Sequence, residues 1–370
     1  MMESVERVEV RLPQHSYEVL IEPGLLSSPE LKNHVFCEGK ASGSKRCFVV
    51  TVPRVRRLWA KTLLHALKGH DICFLEMQDG ERYKTLESVE KLATQMIKAG
   101  ADRDSVVIAL GGGVVTDTAG LLASLYMRGI GLVQAPTTLL AQIDAAIGGK
   151  TGVNLPAGKN LLGTFYQPSM VLVDLSLLET LPEREFRSGL FEALKCGVIR
   201  NPAIFEFMEK EHERIIAGDI AALQWLIREC VKVKAGVVEK DERESGERRI
   251  LNFGHTVGHA LEAETGYKYF LHGEAIGWGM IAATMIASAM QKIAAETAKR
   301  IIAATMACAP LPKVKVRGKS IARRVHSDKK TANGKARFVL PRTIGEVEVT
   351  DGVPDRVIVQ TVEELRRLAH

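Results

Sequence analysis

The sequence predicts an α/β fold, a Rossmann-like N-terminal nucleotide-binding domain joined to a mainly α-helical C-terminal metal-binding domain. Three observations carry that reading. Between Arg46 and Asp174, short apolar and β-branched runs alternate with helix-like segments, the pattern of a parallel sheet covered by helices. After Leu181-Pro182 the pattern changes to long helical periods. The run Ala109-Leu110-Gly111-Gly112-Gly113 stands where a strand gives way to a helix, a place where backbone N–H groups can hold a pyrophosphate. The expected domains are residues 1–181 and 182–370.

Taken in chain order, Met1 to Leu20 alternates charged and apolar side chains without a continuous apolar stretch behind a basic start, so no signal peptide is expected. Strands are expected at Cys47–Val52, Ile72–Met77, Val106–Leu110, Gly131–Ala135 and Met170–Val173, with helices at Leu86–Ala99 and Val114–Tyr126 between them. Helices then follow at Arg184–Ile199, Ile220–Val238, Ile250–Glu264 and Glu274–Ala289, and strand returns only around Arg337–Pro341 and Val347–Thr350. The most apolar stretch, Ala275–Ala289, is broken by glycines and too short for a bilayer, so it reads as a buried helix and no membrane partner is expected. The 6 cysteines lack paired spacing, which argues against a zinc ribbon or a disulfide framework and for a reducing cytoplasm. The formal charge of +6 originates in Lys313–Arg337, where basic residues face the single acidic Asp328; no aromatic residues interleave there for base stacking, and no nucleic-acid partner is expected.

Several segments carry chemistry. The turn Gly111-Gly112-Gly113-Val114-Val115-Thr116 departs from G-x-G-x-x-G at Thr116, so a dinucleotide turn and a ligand-free tight turn both fit it. Asp79-Gly80-Glu81-Arg82-Tyr83-Lys84 offers an acid and a base at another strand end, either to meet a ribose or to cap a helix. Thr137-Thr138, Asp144, Gly148-Gly149-Lys150-Thr151 and Gly158-Lys159-Asn160 form glycine-rich stretches whose lysines supply point charges for a phosphorylated small substrate. A Walker A reading fails because its first glycine would fall on Asp144. His255 and His259 are four apart and share a helix face, and His272 opens the next helical run. Glu192, His255 and His272 could ligate a catalytic metal and leave a position open, with His259 a fourth ligand or an acid/base. Lys195, Lys234 and Arg248 near these residues point to an anionic substrate.

Taken together, these motifs resemble the 3-dehydroquinate synthase family of the sugar phosphate cyclases. The resemblance runs from Gly111 through Gly148–Thr151, Gly158–Asn160, Glu192-Ala-Leu-Lys195, Asn252-Phe-Gly-His255, Gly258-His259 and His272-Gly-Glu274 to Asp328-Lys329-Lys330. It implies an NAD-binding domain, a helical metal domain and an active site in the cleft between them, in a homodimer. It assigns Zn²⁺, or alternatively Co²⁺, to Glu192, His255 and His272. It places Asp144, Lys150, Lys159, Asn160, Lys195, Lys234, Arg248, Asn252, His259 and Lys329 around the substrate, and sends Arg128 to a neighbouring subunit's site. NAD contacts would fall on Asp79, Glu81, Lys84, Gly112, Gly113, Asp117, Thr137 and Thr138, with Lys150 and Lys159 shared between cofactor and substrate.

The implied reaction converts 3-deoxy-D-arabino-heptulosonate 7-phosphate to 3-dehydroquinate and phosphate, as part of the shikimate pathway to aromatic amino acids. It proceeds by NAD-dependent oxidation, phosphate β-elimination, reduction, ring opening and intramolecular aldol closure, with no net redox change. Two departures fall on the cofactor side: Thr116 stands for a glycine, and Thr51-Val52-Pro53 replaces a more polar strand end. The alternatives are another sugar phosphate cyclase, a metal-dependent polyol dehydrogenase that would release NADH, and a non-catalytic zinc protein with a basic surface.

Overall fold

The structure is a computed structural model describing residues 5–36, 46–327 and 336–368. It divides into two compact units, Met1–Leu181 with Leu223–Arg243, and Pro182–Ala222 with Glu244–His370. The single cut at 181/182 therefore misses one exchange, because Leu223–Arg243 packs with the first unit. Tertiary contacts explain why. Arg228 pairs with Glu6 at 2.9 Å, Glu239 accepts the Arg11 N–H at 2.8 Å, Gln167 donates to Glu242 at 2.8 Å, and Lys234 pairs with Asp144. Beneath these ties Leu226, Ile227, Cys230 and Val231 are fully buried.

The first unit is built on a seven-stranded sheet. In chain order its strands are β1 (Glu6–Val10), β2 (Tyr17–Glu22), β3 (Arg46–Thr51), β4 (Asp71–Glu76), β5 (Val106–Gly111) and β6 (Gly131–Pro136). A separate hairpin of β7 (Lys150–Leu155) and β8 (Gly158–Phe165) follows, and β9 (Met170–Asp174) returns to the sheet. The order is β1-β2-β9-β6-β5-β3-β4, with β1 and β2 antiparallel and every other pair parallel. Both faces are covered: Phe48, Val50 and Val107 enter one core, Val49, Val106 and Ile108 the other. Two-sided burial is why these strands read as continuous apolar runs. Chain order reverses between β3 and β5, so the carboxyl ends of these strands, Thr51 and Gly111, flank the switch point where open α/β sheets bind ligands.

In the second unit, helices Glu183–Ile199, His255–Glu264 and His272–Ala289 form the centre, with a small hairpin of β10 (Phe338–Thr343) and β11 (Glu346–Thr350) beside them. The expected helix Ile250–Glu264 is divided: a 3-10 turn, Glu247–Asn252, precedes Gly254, whose left-handed φ of 82° lets the chain re-enter a helix at His255. Close approach is the other local requirement. A Cβ on Gly279 would lie 1.8 Å from the Gly254 carbonyl oxygen, so only glycine lets these two helices meet at this spacing. No helix among the described residues is long and apolar enough to cross a membrane.

Candidate active-site residues in the two units

In the second unit, His255 and His272 each begin a helix, and Glu192 lies within the third. The start of the His272 helix is fixed by Glu274, whose carboxylate reaches back to accept the Leu271 N–H at 2.8 Å. Arg184 grips the same carboxylate with two bonds of 2.6 and 2.8 Å, fastening the helix that carries His272 to the helix that carries Glu192. One potential ligand atom from each of His255, His259 and His272 lies within 4.8 Å of the other two. Glu192 Oε1 stands 3.8 Å from His255 Nε2 and 3.7 Å from His272 Nε2.

The donor set suits a metal. Two ligand atoms on one tetrahedral zinc, with bonds of about 2.0–2.1 Å, are separated by roughly 3.4 Å, close to the Glu192–histidine spacings. Glu192 is fully buried, and neither carboxylate oxygen accepts a well-formed hydrogen bond among the described residues, although the Lys195 ammonium pairs with it. Such a carboxylate is costly unless a cation answers it, a part that the buried Lys195 ammonium plays here. Burial, then the Lys195 ammonium and the neighbouring imidazoles, hold the His255 pKa well below its usual value, which keeps the ring neutral and able to ligate. Its Nδ1 lies 3.1 Å from the Phe253 carbonyl, while His272 Nδ1 lies 3.4 Å from the buried Glu262 carboxylate. Both contacts favour the tautomer that leaves Nε2 free.

Lys195, paired with Glu192, and Arg248 are both deeply buried in this unit, and Asn252 donates to Glu244 at 2.8 Å from the 3-10 turn. His259 is exposed. Glu262 and Glu244 were not singled out in the sequence. Glu262 follows His259 by three residues, one helical turn, and that spacing was the only available signal.

In the first unit, Gly111-Gly112-Gly113 links β5 to helix Gly113–Leu125. The Thr137 N–H bonds the Gly111 carbonyl at 3.0 Å, and a Cβ on Gly112 would press on Thr138 Cγ2 at 3.1 Å, so Gly112, Gly113, Thr137 and Thr138 lie at adjacent strand ends. Thr116 is buried and turns its hydroxyl back to the Gly113 carbonyl at 3.0 Å, so the departure from glycine is absorbed inside the helix. Thr51 and Val52 are likewise buried, and Pro53 opens the following helix.

Lys84 is buried, pairs with Asp117 and donates to Asn160 Oδ1 at 2.5 Å. Burial raises the Asp117 pKa, against the pull of that ammonium. Lys159 Nζ lies 3.9 Å from Glu81, whereas Asp79 is exposed. Asp144 sits in a π-helical turn, Ala141–Ala145, where the Lys234 ammonium reaches it; such single turns recur at functional sites. Lys150 and Lys159, expected on glycine loops, belong instead to the β7–β8 hairpin. Lys150 is exposed at its first residue, after Gly148 and Gly149 turn the chain. Arg128 is not gathered with these residues. It is exposed on a turn where Met127 and Arg128 have φ values of 46° and 69°, a strained backbone for side-chain-bearing residues. Lys329 lies outside the described residues.

The 3-dehydroquinate synthase N-terminal profile matches residues 74–188, and the C-terminal profile of the same enzyme matches residues 189–331. The chain belongs to the 3-dehydroquinate synthase family. Among its relatives, the 3-dehydroquinate synthase of Koribacter versatilis is 56% identical over 367 residues, 99% of each chain. That of Solibacter usitatus is 44% identical, covering 95% of this chain and 97% of its own. Two solved sugar phosphate cyclases share the fold. One is a 2-epi-5-epi-valiolone synthase from Streptomyces hygroscopicus with NAD⁺ and Zn²⁺ bound, with 29% identity, a TM-score of 0.87 and coverage of 97% of this chain and 99% of that one. The other is a 2-deoxy-scyllo-inosose synthase complexed with carbaglucose-6-phosphate, NAD⁺ and Co²⁺, with 26% identity, a TM-score of 0.86 and the same coverage. A glycerol dehydrogenase from Schizosaccharomyces pombe, at 16% identity, a TM-score of 0.69 and coverage of 99% and 92%, shares the fold alone. In this member of the 3-dehydroquinate synthase family, a carboxylate–histidine cluster stands in one unit and a glycine turn with the buried Lys84 and Lys234 in the other.

Proposed function

We propose that the protein converts 3-deoxy-D-arabino-heptulosonate 7-phosphate to 3-dehydroquinate and phosphate. The observation that carries this reading is the full-length 56% identity to a 3-dehydroquinate synthase, set on a unit whose Glu192, His255 and His272 are spaced for one divalent ion. In this reading Glu192, His255 and His272 hold Zn²⁺ or Co²⁺, and Gly112, Gly113, Thr137, Thr138, Glu81, Lys84 and Asp117 hold NAD⁺. When bound, the nucleotide supplies a reversible hydride acceptor and the metal a Lewis acid for the substrate's hydroxyls.

The chain's own residues bind and orient. Lys150, Lys159, Asn160, Arg248 and Asn252 present donors for the phosphate and carboxylate of an anionic sugar acid. Because a leaving phosphate can take the neighbouring C6 proton with its own oxygen, these groups serve chiefly to fix its geometry. Asp144 and Lys195 keep the Lys234 and Glu192 side chains paired. His259, exposed beside the metal set, is placed to exchange protons with substrate through water.

We assign the protein to the cytoplasm, where the free thiols of Cys47, Cys73, Cys196, Cys230 and Cys308 would persist. We also propose a homodimer, with Arg128 serving the partner's site. Its strained, exposed turn and the exposed Leu161 and Phe165 of the β7–β8 hairpin support this.

The test supplies the heptulosonate phosphate with Zn²⁺ and a catalytic amount of NAD⁺, and follows phosphate and dehydroquinate together. Equal amounts of both, without accumulating NADH, are expected. Turnover of a hexose phosphate in place of this substrate would make the protein another cyclase, and stoichiometric NADH would make it a polyol dehydrogenase.

A further inference from the structure

We infer that Asn154 is a positioning residue that sets the cofactor and substrate groups of the first unit in register with each other. It rests on the reading above, in which Glu81 and Lys84 meet NAD⁺ and Asn160 meets substrate. The hairpin pairs Val153 with Leu162 and Leu155 with Gly158, so the ladder is broken where Asn154 faces Lys159, Asn160 and Leu161. Such a bulge bends the strand and leaves backbone groups unpaired. Asn160 stands in it with a φ of 55°, a conformation that asparagine tolerates better than most residues.

Asn154 answers each consequence of the bulge. Its Oδ1 accepts the Asn160 N–H at 2.9 Å, replacing the missing ladder bond. Its own N–H leaves the hairpin and donates to the Lys84 carbonyl at 2.8 Å. Its Nδ2 donates to Glu81 Oε1 at 2.8 Å and to the Glu81 carbonyl at 3.3 Å. One residue therefore holds both ends of the Glu81–Lys84 turn, its backbone N–H holding Lys84 and its side chain Glu81, and the same side chain holds the residue whose Oδ1 receives Lys84 Nζ. Aspartate could still accept from Asn160 but could not donate to Glu81, and it would set a second carboxylate against the first. The two arms can thus be separated by substitution.

The experiment measures NAD⁺ affinity by fluorescence titration of the metal-loaded protein without substrate, and the substrate KM at saturating NAD⁺, in the wild type, Asn154→Asp and Asn154→Ala. Asn154→Asp should weaken NAD⁺ about 10-fold, about 1.4 kcal/mol, with the substrate KM within about twofold of wild type. Asn154→Ala should raise both constants. Should alanine prevent folding, the aspartate variant decides alone. Wild-type NAD⁺ affinity in the aspartate variant, or an equal rise in both of its constants, overturns the inference. Absence of NAD⁺ binding by the wild type would instead overturn the functional reading beneath it.

Discussion

At the scale of residues, the three clustered histidines stand in different environments. His255 and His272 have their Nδ1 atoms beside acceptors and their Nε2 atoms beside a buried carboxylate, whereas His259 is exposed. His272→Ala should therefore lose zinc on dialysis, whereas His259→Ala should retain it and lose turnover; metal analysis of the dialysed proteins checks both, and equal loss would reverse the ligand assignment. Glu262→Gln leaves an amide where His272 Nδ1 faced a charge. It should weaken zinc about 10- to 100-fold, measured by competition with a chromogenic chelator. The proposed ligands could be named from the sequence because their motifs are local. Glu262 and Glu244 were not, since what marks them is a side chain met in space.

At the scale of elements, glycine sets how closely the helices that carry His255 and His272 approach. Gly279→Ala would drive a methyl group into the Gly254 carbonyl just before His255. It should cost about 1–3 kcal/mol, read as a lowered denaturation midpoint of the metal-free protein, and should also loosen metal binding. An unchanged midpoint would mean that the helices separate easily.

The strands of the parallel sheet were readable because burial on both faces writes continuous apolar runs such as Cys47–Val52 and Val106–Leu110. The hairpin was not. Gly158-Lys159-Asn160 lacks β-forming composition; only Gly158 pairs in the ladder, and the Asn160 N–H is held by the Asn154 side chain. Ile250–Glu264 kept helical periodicity across a break that only the φ of Gly254 reveals. The N-terminal alternation was visible, and it proves to be the antiparallel pair β1–β2.

At the scale of the whole molecule, the proposed dimer gives the exposed hairpin face an occupant. Leu161→Glu with Phe165→Glu should shift the protein from dimer to monomer in light scattering, while the sheet core, which these side chains do not enter, keeps its far-ultraviolet circular dichroism. If Arg128 serves the partner's site, the monomer also loses activity. A dimer that survives both charges would move the interface elsewhere. The basic tract, which raised the question of nucleic acid, is partly engaged within its own unit: Arg324 reaches Glu264 at 3.4 Å and Lys315 lies over the Tyr269 ring at 5.1 Å.

The return of Leu223–Arg243 to the first unit has a consequence for synthesis on the ribosome. The sheet strands all precede residue 181, yet Lys234 and the apolar face of Leu226, Ile227, Cys230 and Val231 emerge only after the second unit has begun. Until then Glu6, Arg11 and Asp144 lack the Arg228, Glu239 and Lys234 side chains that meet them. The first unit is therefore completed only after synthesis has entered the second, and a fragment cut at Leu181 would carry the glycine turn on a unit without these ties.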